Sequence, residues 1–492
     1  MSLYINYLAT VRCILIIMKK CDIAVIGAGS AGLTAARLAA KFGVSVVLFE
    51  KHRIGGDCLY TGCVPSKSLI TAARDVHKAQ NLQQYGVKAS VKLDFQAVRN
   101  HIHSSIHCIK ENEDSRRPLE EMGVEVVEEA VTFSDKTTLK TASGEEYSFK
   151  KCIVATGSSP NKLEIKGLKQ EHIVTSDTIW SLDRLPKHLV IVGGGPIGLE
   201  LGQAFAMLGS KVTVLERSDK LLGRFDQDVS DAIVKGLKET GVNILLNAEI
   251  EEVQDGTQLK MRIKSGDSSS SKSETYVGDK VLAAIGRTPN TSGIGLEKAG
   301  IKFDEHKGIE VDDKLRTSTK SIYAAGDCKG GPYFTHLAGE QGASALTHAL
   351  FWYKRPVNWG ALPWAFFTTP EVAHVGASEQ ELQSNDTPYE AEILDYGDID
   401  KAIAEHHEGK ITILLDKKRK ILGATIIGKN ASELIGYYAY IMGTGKKFDD
   451  LGEPIQAYPT YAMAIRQHAS DVQIRAFTNT FIPKMLLKLR GY

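Results

Sequence analysis

Seven cysteines occur in 492 residues (Cys13, Cys21, Cys58, Cys63, Cys108, Cys152 and Cys328), and one pair is close enough in sequence to act together. Cys58 and Cys63 stand in Gly55-Gly56-Asp57-Cys58-Leu59-Tyr60-Thr61-Gly62-Cys63-Val64-Pro65-Ser66-Lys67-Ser68. Helical faces repeat at three and four residues, so cysteines five apart can close a disulfide only where the helix is locally non-ideal. Gly62 helps permit that geometry, and Pro65 suits an early helical turn, where its missing N–H costs little. A thiolate at a helix N-terminus is stabilised, which suits redox chemistry. On spacing alone, two buried reduced thiols fit the stretch as well. Such sparse cysteine usage argues against a secreted disulfide scaffold and for a reducing compartment, so a cytoplasmic location is expected.

Two further stretches place glycines where phosphates are cradled. The first runs Ile23-Ala24-Val25-Ile26-Gly27-Ala28-Gly29-Ser30-Ala31-Gly32, followed by an alanine-rich helix and a strand closed by Glu50. The second runs Leu189-Val190-Ile191-Val192-Gly193-Gly194-Gly195-Pro196-Ile197-Gly198, followed by a helix and a strand closed by Glu216. In both copies the acid lies 23 residues after the first glycine. The first glycine permits a tight strand-to-helix turn, the second lets backbone approach a pyrophosphate, and the third lets the helix pack on the strand. The helix N-terminus offers unpaired N–H groups to the phosphates, and the acid accepts from ribose hydroxyls. Two nucleotide-free α/β turns are the competing reading, but strand, helix, strand and acid fall in register twice. Glu50 suits an unmodified adenosine ribose, as in FAD. Glu216 suits NADH better than NADPH, because a 2′-phosphate would face a carboxylate, and the adjacent Arg217 softens that preference.

The elements that position these motifs need a long chain. At 492 residues the sequence exceeds one core and suggests about three domains. Hydrophobic residues at 43% and charged residues at 24% are ordinary for a globular protein. Sixty lysines and arginines against 59 aspartates and glutamates give no sign of nucleic acid or of a polyanionic substrate. Near the N-terminus the apolar run Cys13–Met18 follows Arg12 and is far shorter than the roughly 20 residues that span a bilayer. Met1-Ser2-Leu3-Tyr4 lacks the basic start of a signal peptide. Met18-Lys19-Lys20-Cys21-Asp22 reads as a natural start, so residues 1–19 are expected to be an extension outside the fold. Ser268–Ser273 reads as a solvated loop. The basic, apolar tail Phe481–Arg490 reads as a helix packed on a dimer, with weak membrane-surface contact as the alternative.

Gly55-Gly56-Asp57-Cys58 with Gly62-Cys63-Val64-Pro65-Ser66-Lys67 resembles the active-site signature of the pyridine nucleotide-disulfide oxidoreductases, the family of dihydrolipoamide dehydrogenase, glutathione reductase and mercuric reductase. The resemblance spans about residues 20–470. It returns at Val154-Ala155-Thr156-Gly157, at Gly286-Arg287-Thr288-Pro289-Asn290, at Ile322-Tyr323-Ala324-Ala325-Gly326-Asp327 and at Phe367-Thr368-Thr369-Pro370-Glu371. It implies an α/β fold with two Rossmann-like dinucleotide-binding domains, for FAD and NAD(P), and a C-terminal α+β dimerisation domain. The expected boundaries are 20–165 for the first FAD segment, 166–285 for the NAD(P) domain, 286–355 for the second FAD segment and 356–492 for the interface domain. A homodimer is implied, its active site completed by the partner's C-terminal domain. FAD is implied at Gly27, Gly29, Gly32, Glu50, Gly56, Thr156, Gly157 and Asp327, the last holding the ribityl chain. NAD(P) is implied at Gly193, Gly195, Gly198, Glu216 and Gly286. Cys63 is implied as the thiol nearest the flavin and Cys58 as the outer thiol that meets the acceptor. Lys67 is implied beside the flavin, oriented by Glu200, where its charge stabilises reduced flavin. No metal site is expected.

The C-terminal region departs from the pattern. Disulfide-reducing members carry a His–Glu acid–base dyad where this chain has Tyr458 and Met463, in Tyr458-Pro459-Thr460-Tyr461-Ala462-Met463. A phenol with an ordinary pKa near ~10 is a poor base at neutral pH. Loss of the dyad should slow dithiol turnover by about 10²–10⁴. His468 reads as a surface helix histidine more readily than as a displaced base. Mercuric reductases also place tyrosine at this position, with threonine two residues on, as Tyr458 and Thr460 are here. Those enzymes end in a vicinal cysteine pair, whereas no cysteine follows Cys328. The resulting expectation is an FAD-dependent NAD(P)H oxidoreductase relaying electrons through Cys58–Cys63 to a small acceptor, in the manner of mercuric reductase. Two alternatives stay open: a dihydrolipoamide dehydrogenase type with a replacement base, and a flavin-bound redox sensor that does not turn over.

Overall fold

The structure is a computed structural model that describes residues 18–223, 225–256, 259–266, 271–352 and 359–491. The elements that matter to the site are, in chain order, β1 (Lys19–Ile26), α1 (Ser30–Lys41), β2 (Val46–Phe49), α2 (Gly56–Tyr60), α3 (Cys63–Gln80), β3 (Val124–Val127) and β4 (Glu146–Val154). They continue with β5 (Ile173–Thr175), β6 (His188–Val192), α4 (Pro196–Met207), β7 (Lys211–Leu215), α5 (Gln227–Glu239), β8 (Val242–Leu245), β9 (Lys280–Ala283), β10 (Ile322–Ala324) and α6 (Thr335–Leu350). The last are α7 (Ala431–Thr444), α8 (Tyr461–Thr478) and α9 (Phe481–Leu489).

The chain forms two compact units. The first holds the described residues within 18–56, 110–158 and 288–352. Its parallel strands run in the order β3-β2-β1-β4-β10, with Ile26 opposite both Phe49 and Val154. The strands are near-continuous Val, Ile and Leu because both faces are covered, one by α1 and α6 and the other by the strands and loops that carry Phe133, Leu139 and Leu296. Helix α1 is alanine-rich for a packing reason: α6 lies against it, and a Cβ on Gly342 would sit 2.1 Å from the Ala31 carbonyl oxygen. Ser30 Oγ also donates to the Thr335 carbonyl at 2.9 Å.

The second unit holds the described residues within 57–109, 159–287 and 359–491. Its parallel sheet runs β8-β7-β6-β9-β5, with Val192 opposite Leu215 and Ala283. A five-stranded antiparallel sheet between Pro363 and Ile427 carries the C-terminal region, backed by α7 and α8. Gln203 of α4 joins the two sheets' surroundings. Its Nε2 donates to the carbonyls of Gly236 (3.1 Å) and Thr369 (2.9 Å), and its Oε1 accepts from the Thr369 N–H at 2.7 Å. A Cβ on Gly236 of α5 would lie 2.0 Å from the Thr369 oxygen, so backbone meets backbone there.

Several expectations change. Residues 57–109, expected within the first FAD segment, cluster with the second unit, because Leu69, Ile70 and Ala73 of α3 pack in one core with Leu199 and Phe205 of α4. Residues 1–17 lie outside the described residues, but Lys19 belongs to the fold. It opens β1 opposite Tyr147, and its Nζ donates to Tyr147 Oη and Glu145 Oε2, both at 3.0 Å. Residues 268–270 of the serine run also lie outside the described residues. Lys272 and Ser273 are strand rather than loop, pairing antiparallel with Ser265 and Lys264, and they stay solvated because their side chains are exposed. The tail does form a helix, α9, whose Phe481 and Leu489 are each 76% exposed. Among the described residues no helix is long and apolar enough to cross a membrane.

Candidate active site

The cysteine segment is two helices with a break between them. Cys58 lies in the single turn α2, and Cys63 opens α3. The Asp57 carbonyl accepts from Thr61 N–H at 2.9 Å and from Gly62 N–H at 2.6 Å. The second bond spans five residues, a π-type turn with the same spacing as the cysteines. A Cβ at Gly62 would meet the Asp57 oxygen at 3.0 Å and Cys58 Cα at 3.3 Å, so glycine is what lets the chain turn there. Trp180 Nε1 donates to the Thr61 carbonyl (3.0 Å) and to the Ser176 carbonyl (2.6 Å). Arg287 forms an ion pair with Asp57; its Nη1 lies 3.4 Å from Ser176 Oγ and 3.7 Å from Asp177 Oδ1. Both cysteines are half-buried. Three others are sealed in the first unit. Burial pushes Cys21 up to about 12, Cys328 up to about 11 and Cys152 well above the usual thiol value.

One turn into α3, Lys67 Nζ donates to Glu200 Oε2 at 2.9 Å and lies 4.1 Å from the centre of the Phe367 ring. Glu200 comes from α4, its side chain 10% exposed, and its Oε1 accepts from the Phe367 N–H at 2.9 Å. The Phe367–Glu371 stretch is held in turn by Arg74 of α3, which donates to Glu371 Oε1 (3.0 Å) and to the Thr368 carbonyl (2.9 Å). The ammonium therefore has a fixed carboxylate and an aromatic face, an oriented cation that can stabilise developing negative charge.

The two glycine motifs repeat one geometry. Gly27 and Gly193 have φ of +101° and +109°, and a Cβ on either would lie 2.4 Å from a carbonyl oxygen, of Ala155 and Ala284 respectively. A Cβ on Gly32 would sit 1.8 Å from the Gly27 oxygen, and one on Gly198 2.5 Å from the Gly193 oxygen. Gly29 and Gly195 face open space, with nothing within 4 Å of an added Cβ. Glu50 accepts from the N–H groups of Ala28 (2.7 Å) and His52 (2.8 Å); Glu216 accepts from Gly194 (2.9 Å) and Ser218 (2.8 Å). Each acid is thus fixed at the end of its second strand, beside the turn. Tight turn, open middle glycine, helix N-terminus and anchored acid fit a dinucleotide at both places.

Around the first motif, a Cβ on Gly56 would lie 2.7 Å from Gly29 Cα, so these backbones touch. Thr156 and Asn290 exchange side-chain-to-backbone bonds of 2.6 and 2.9 Å, leaving open space at Gly157. Ser158 Oγ donates to Asp327 Oδ2 at 2.7 Å. These residues fit FAD, the flavin nucleotide expected for this family. Around the second motif, Gly286 follows β9, and its carbonyl accepts from the Asn161 N–H at 3.0 Å.

The C-terminal candidates are placed differently. Tyr458 is 70% exposed and its hydroxyl donates to Asp400 Oδ2 at 2.7 Å. Asp400 beside it pushes the phenol above the ordinary tyrosine range, away from base chemistry. Met463 lies in the first turn of α8, where its N–H is taken by the Thr460 cap at 3.1 Å. His468 is not the expected surface histidine. Its side chain is 11% exposed, its ring packs edge-on to Phe448, and its Nε2 lies 3.4 Å from Glu392 Oε2, a carboxylate shared with Arg475. The α8 face that carries it turns into the core rather than to solvent.

Arg287, Asp57, Trp180 and Phe367 join the site without having been singled out in the sequence. Arg287 and Asp57 stand inside quoted motifs, but only the pairing across 230 residues shows what they do. No periodicity marks Trp180.

Comparison with known proteins agrees with this geometry. Residues 21–342 match the family model for pyridine nucleotide-disulphide oxidoreductases, and residues 362–469 match the dimerisation domain of the same family. Dihydrolipoyl dehydrogenase of Geobacillus stearothermophilus is 34% identical, over 92% of this chain and 95% of the relative. Mercuric reductase of Lysinibacillus sphaericus is 30% identical, over 90% and 81%. Among solved structures, the HOCl-induced flavoprotein disulfide reductase RclA from Escherichia coli is 27% identical with a TM-score of 0.80, covering 91% of this chain and 99% of that one. LpdA from Mycobacterium tuberculosis is 27% identical with a TM-score of 0.83, covering 92% and 100%.

Proposed function

The chain belongs to the pyridine nucleotide-disulphide oxidoreductases, and from that premise we propose that it is a cytoplasmic NADH-dependent enzyme that reduces a soft, thiol-bound metal ion or a similar small acceptor rather than a dithiol or disulfide. Bound FAD supplies the two-electron carrier between nicotinamide and cysteines. Around it the chain's own groups divide the work. Gly195 and the N-terminus of α4 bind the pyrophosphate of NADH, and Glu216 accepts from its ribose hydroxyls and repels a 2′-phosphate. Lys67, oriented by Glu200, holds positive charge where negative charge develops. NADH and one proton convert the Cys58–Cys63 disulfide to two thiols; the acceptor then takes two electrons, and the disulfide reforms with release of two protons. Cys63 is the inner sulfur and Cys58 the outer one.

The observation that carries the choice of acceptor is Tyr458. Its hydroxyl is spent on Asp400 and Met463 offers no carboxylate, so the dyad position holds no proton acceptor. Thiolate exchange at a soft metal ion needs sulfur ligands and little proton transfer. The buried His468–Glu392 contact, shared with Arg475, does not replace an accessible base. We place the protein as a homodimer whose Tyr458 is presented to the partner's cysteines, a role its exposure suits. The test is NADH oxidation with a panel of acceptors. Hg(II) with excess thiol should turn over at least about tenfold faster than lipoamide or oxidised glutathione. Equal or faster lipoamide turnover would overturn the reading.

A further inference from the structure

Residue 57 is held at both ends. Its backbone carbonyl takes the Thr61 and Gly62 N–H groups that shape the turn between the cysteines, while its carboxylate is paired with Arg287. Arg287 follows Gly286 at the exit of β9, and its side chain is only 13% exposed. The same guanidinium contacts Ser176 and Asp177; Ser176 and Thr61 share the Trp180 indole. Arg287, Asp57, the turn, Thr61, Trp180 and Ser176 thus close a ring of contacts around the helix that carries Cys58. The arginine of this pair is largely buried while the Asp57 side chain is 51% exposed, so the pair matters less for stability than for the charge it sets next to a cysteine.

We propose that Arg287 is a positioning residue that acts through Asp57 to orient Cys58 and to set how readily its thiol ionises. The proposal rests on the reading of Cys58 as the outer thiol. The charged and titratable groups on the elements that carry and flank the pair are Asp57 and Tyr60 on α2, Cys63 and the Lys67–Glu200 pair on α3 and α4, and Arg287 and Asp177 from the loops opposite. Of these, Asp57 is adjacent to Cys58 in the chain and Arg287 is its ion-pair partner of opposite charge. Removing Asp57 takes away a negative charge and removing Arg287 a positive one, so the two losses have opposite signs, with Asp177 at 3.7 Å still facing the guanidinium in the first case. A gain of net positive charge there stabilises the thiolate, and a gain of net negative charge destabilises it.

The experiment follows alkylation of Cys58 by iodoacetamide against pH in the reduced, flavin-loaded protein, read by mass spectrometry. Asp57→Asn should lower the pH of half-maximal reactivity by about half a unit or more, and Arg287→Gln should raise it by a similar amount. Arg287→Lys, which keeps the charge, should stay close to the unaltered protein and serves if the glutamine variant does not fold. The exchange Asp57→Arg with Arg287→Asp should also return the profile toward it. Shifts of the same sign in Asp57→Asn and Arg287→Gln, or none in either, would overturn the proposal. Alkylation needs no turnover, so a failure of the acceptor reading above leaves this result separately legible.

Discussion

The two dinucleotide units share their glycine geometry and differ in what covers the helix that follows. In the first unit α6 lies on α1, with Gly342 against the Ala31 carbonyl and Ser30 bonded to Thr335. In the second, the start of α4 is bare: Pro196 is exposed and Ile197 is 38% exposed. The second position of the motif differs too. Ala28 is fully buried in the first copy, whereas a Cβ on Gly194 would meet Leu221 Cδ2 at 2.3 Å. The start of α1 is thus roofed by α6 while the start of α4 is exposed, although the middle glycine of each fingerprint faces open space.

The comparison can be broken most severely at the first glycines. Gly27→Ala and Gly193→Ala each drive a Cβ to 2.4 Å from a carbonyl oxygen at a positive φ. Gly27→Ala should leave protein without flavin absorbance, whereas Gly193→Ala should purify yellow, reducible by dithionite yet at least about 100-fold slower with NADH. Colourless Gly193→Ala protein would erase the distinction. A middle-sized effect comes from the roof. Gly342→Ala forces α6 from α1 and should cost about 1–3 kcal/mol, read as a fall in Tm with flavin lost on dilution. Gly195→Ala, with open space around it, should leave Tm within a degree or two and raise KM for NADH. The smallest expected effect is on nucleotide choice: Glu216→Gln should narrow the preference for NADH over NADPH by about tenfold, a loss of about 1–1.5 kcal/mol of discrimination.

What could be read in the chain beforehand follows from how local each signal is. Gly27, Gly29, Gly32 and Glu50 are close together and their roles are backbone roles, so type and spacing suffice. The same holds for Gly62, whose place between the cysteines anticipates the five-residue turn. Lys67 and Glu200 are 133 residues apart and were legible only through resemblance. The pairing of Arg287 with Asp57, the Trp180 anchor and the ring beneath Lys67 left no local trace, because each is decided by how separate segments pack. His468 shows the cost of that: a helical histidine among polar neighbours reads as solvent-facing, and only the Phe448 and Glu392 contacts reveal it as core. That α3 shares its core with α4 is of the same kind, since α3 follows the first fingerprint in sequence.

Gln203 carries a consequence for motion. Its amide is bonded at both ends to main chain, and Gly236 brings α5 into backbone contact with the same Thr369. A hinge at that seam would have to break the two Gln203–Thr369 hydrogen bonds together and pull apart main chains already at the limit of approach. The nucleotide-binding lobe and the C-terminal sheet should therefore travel as one rigid block.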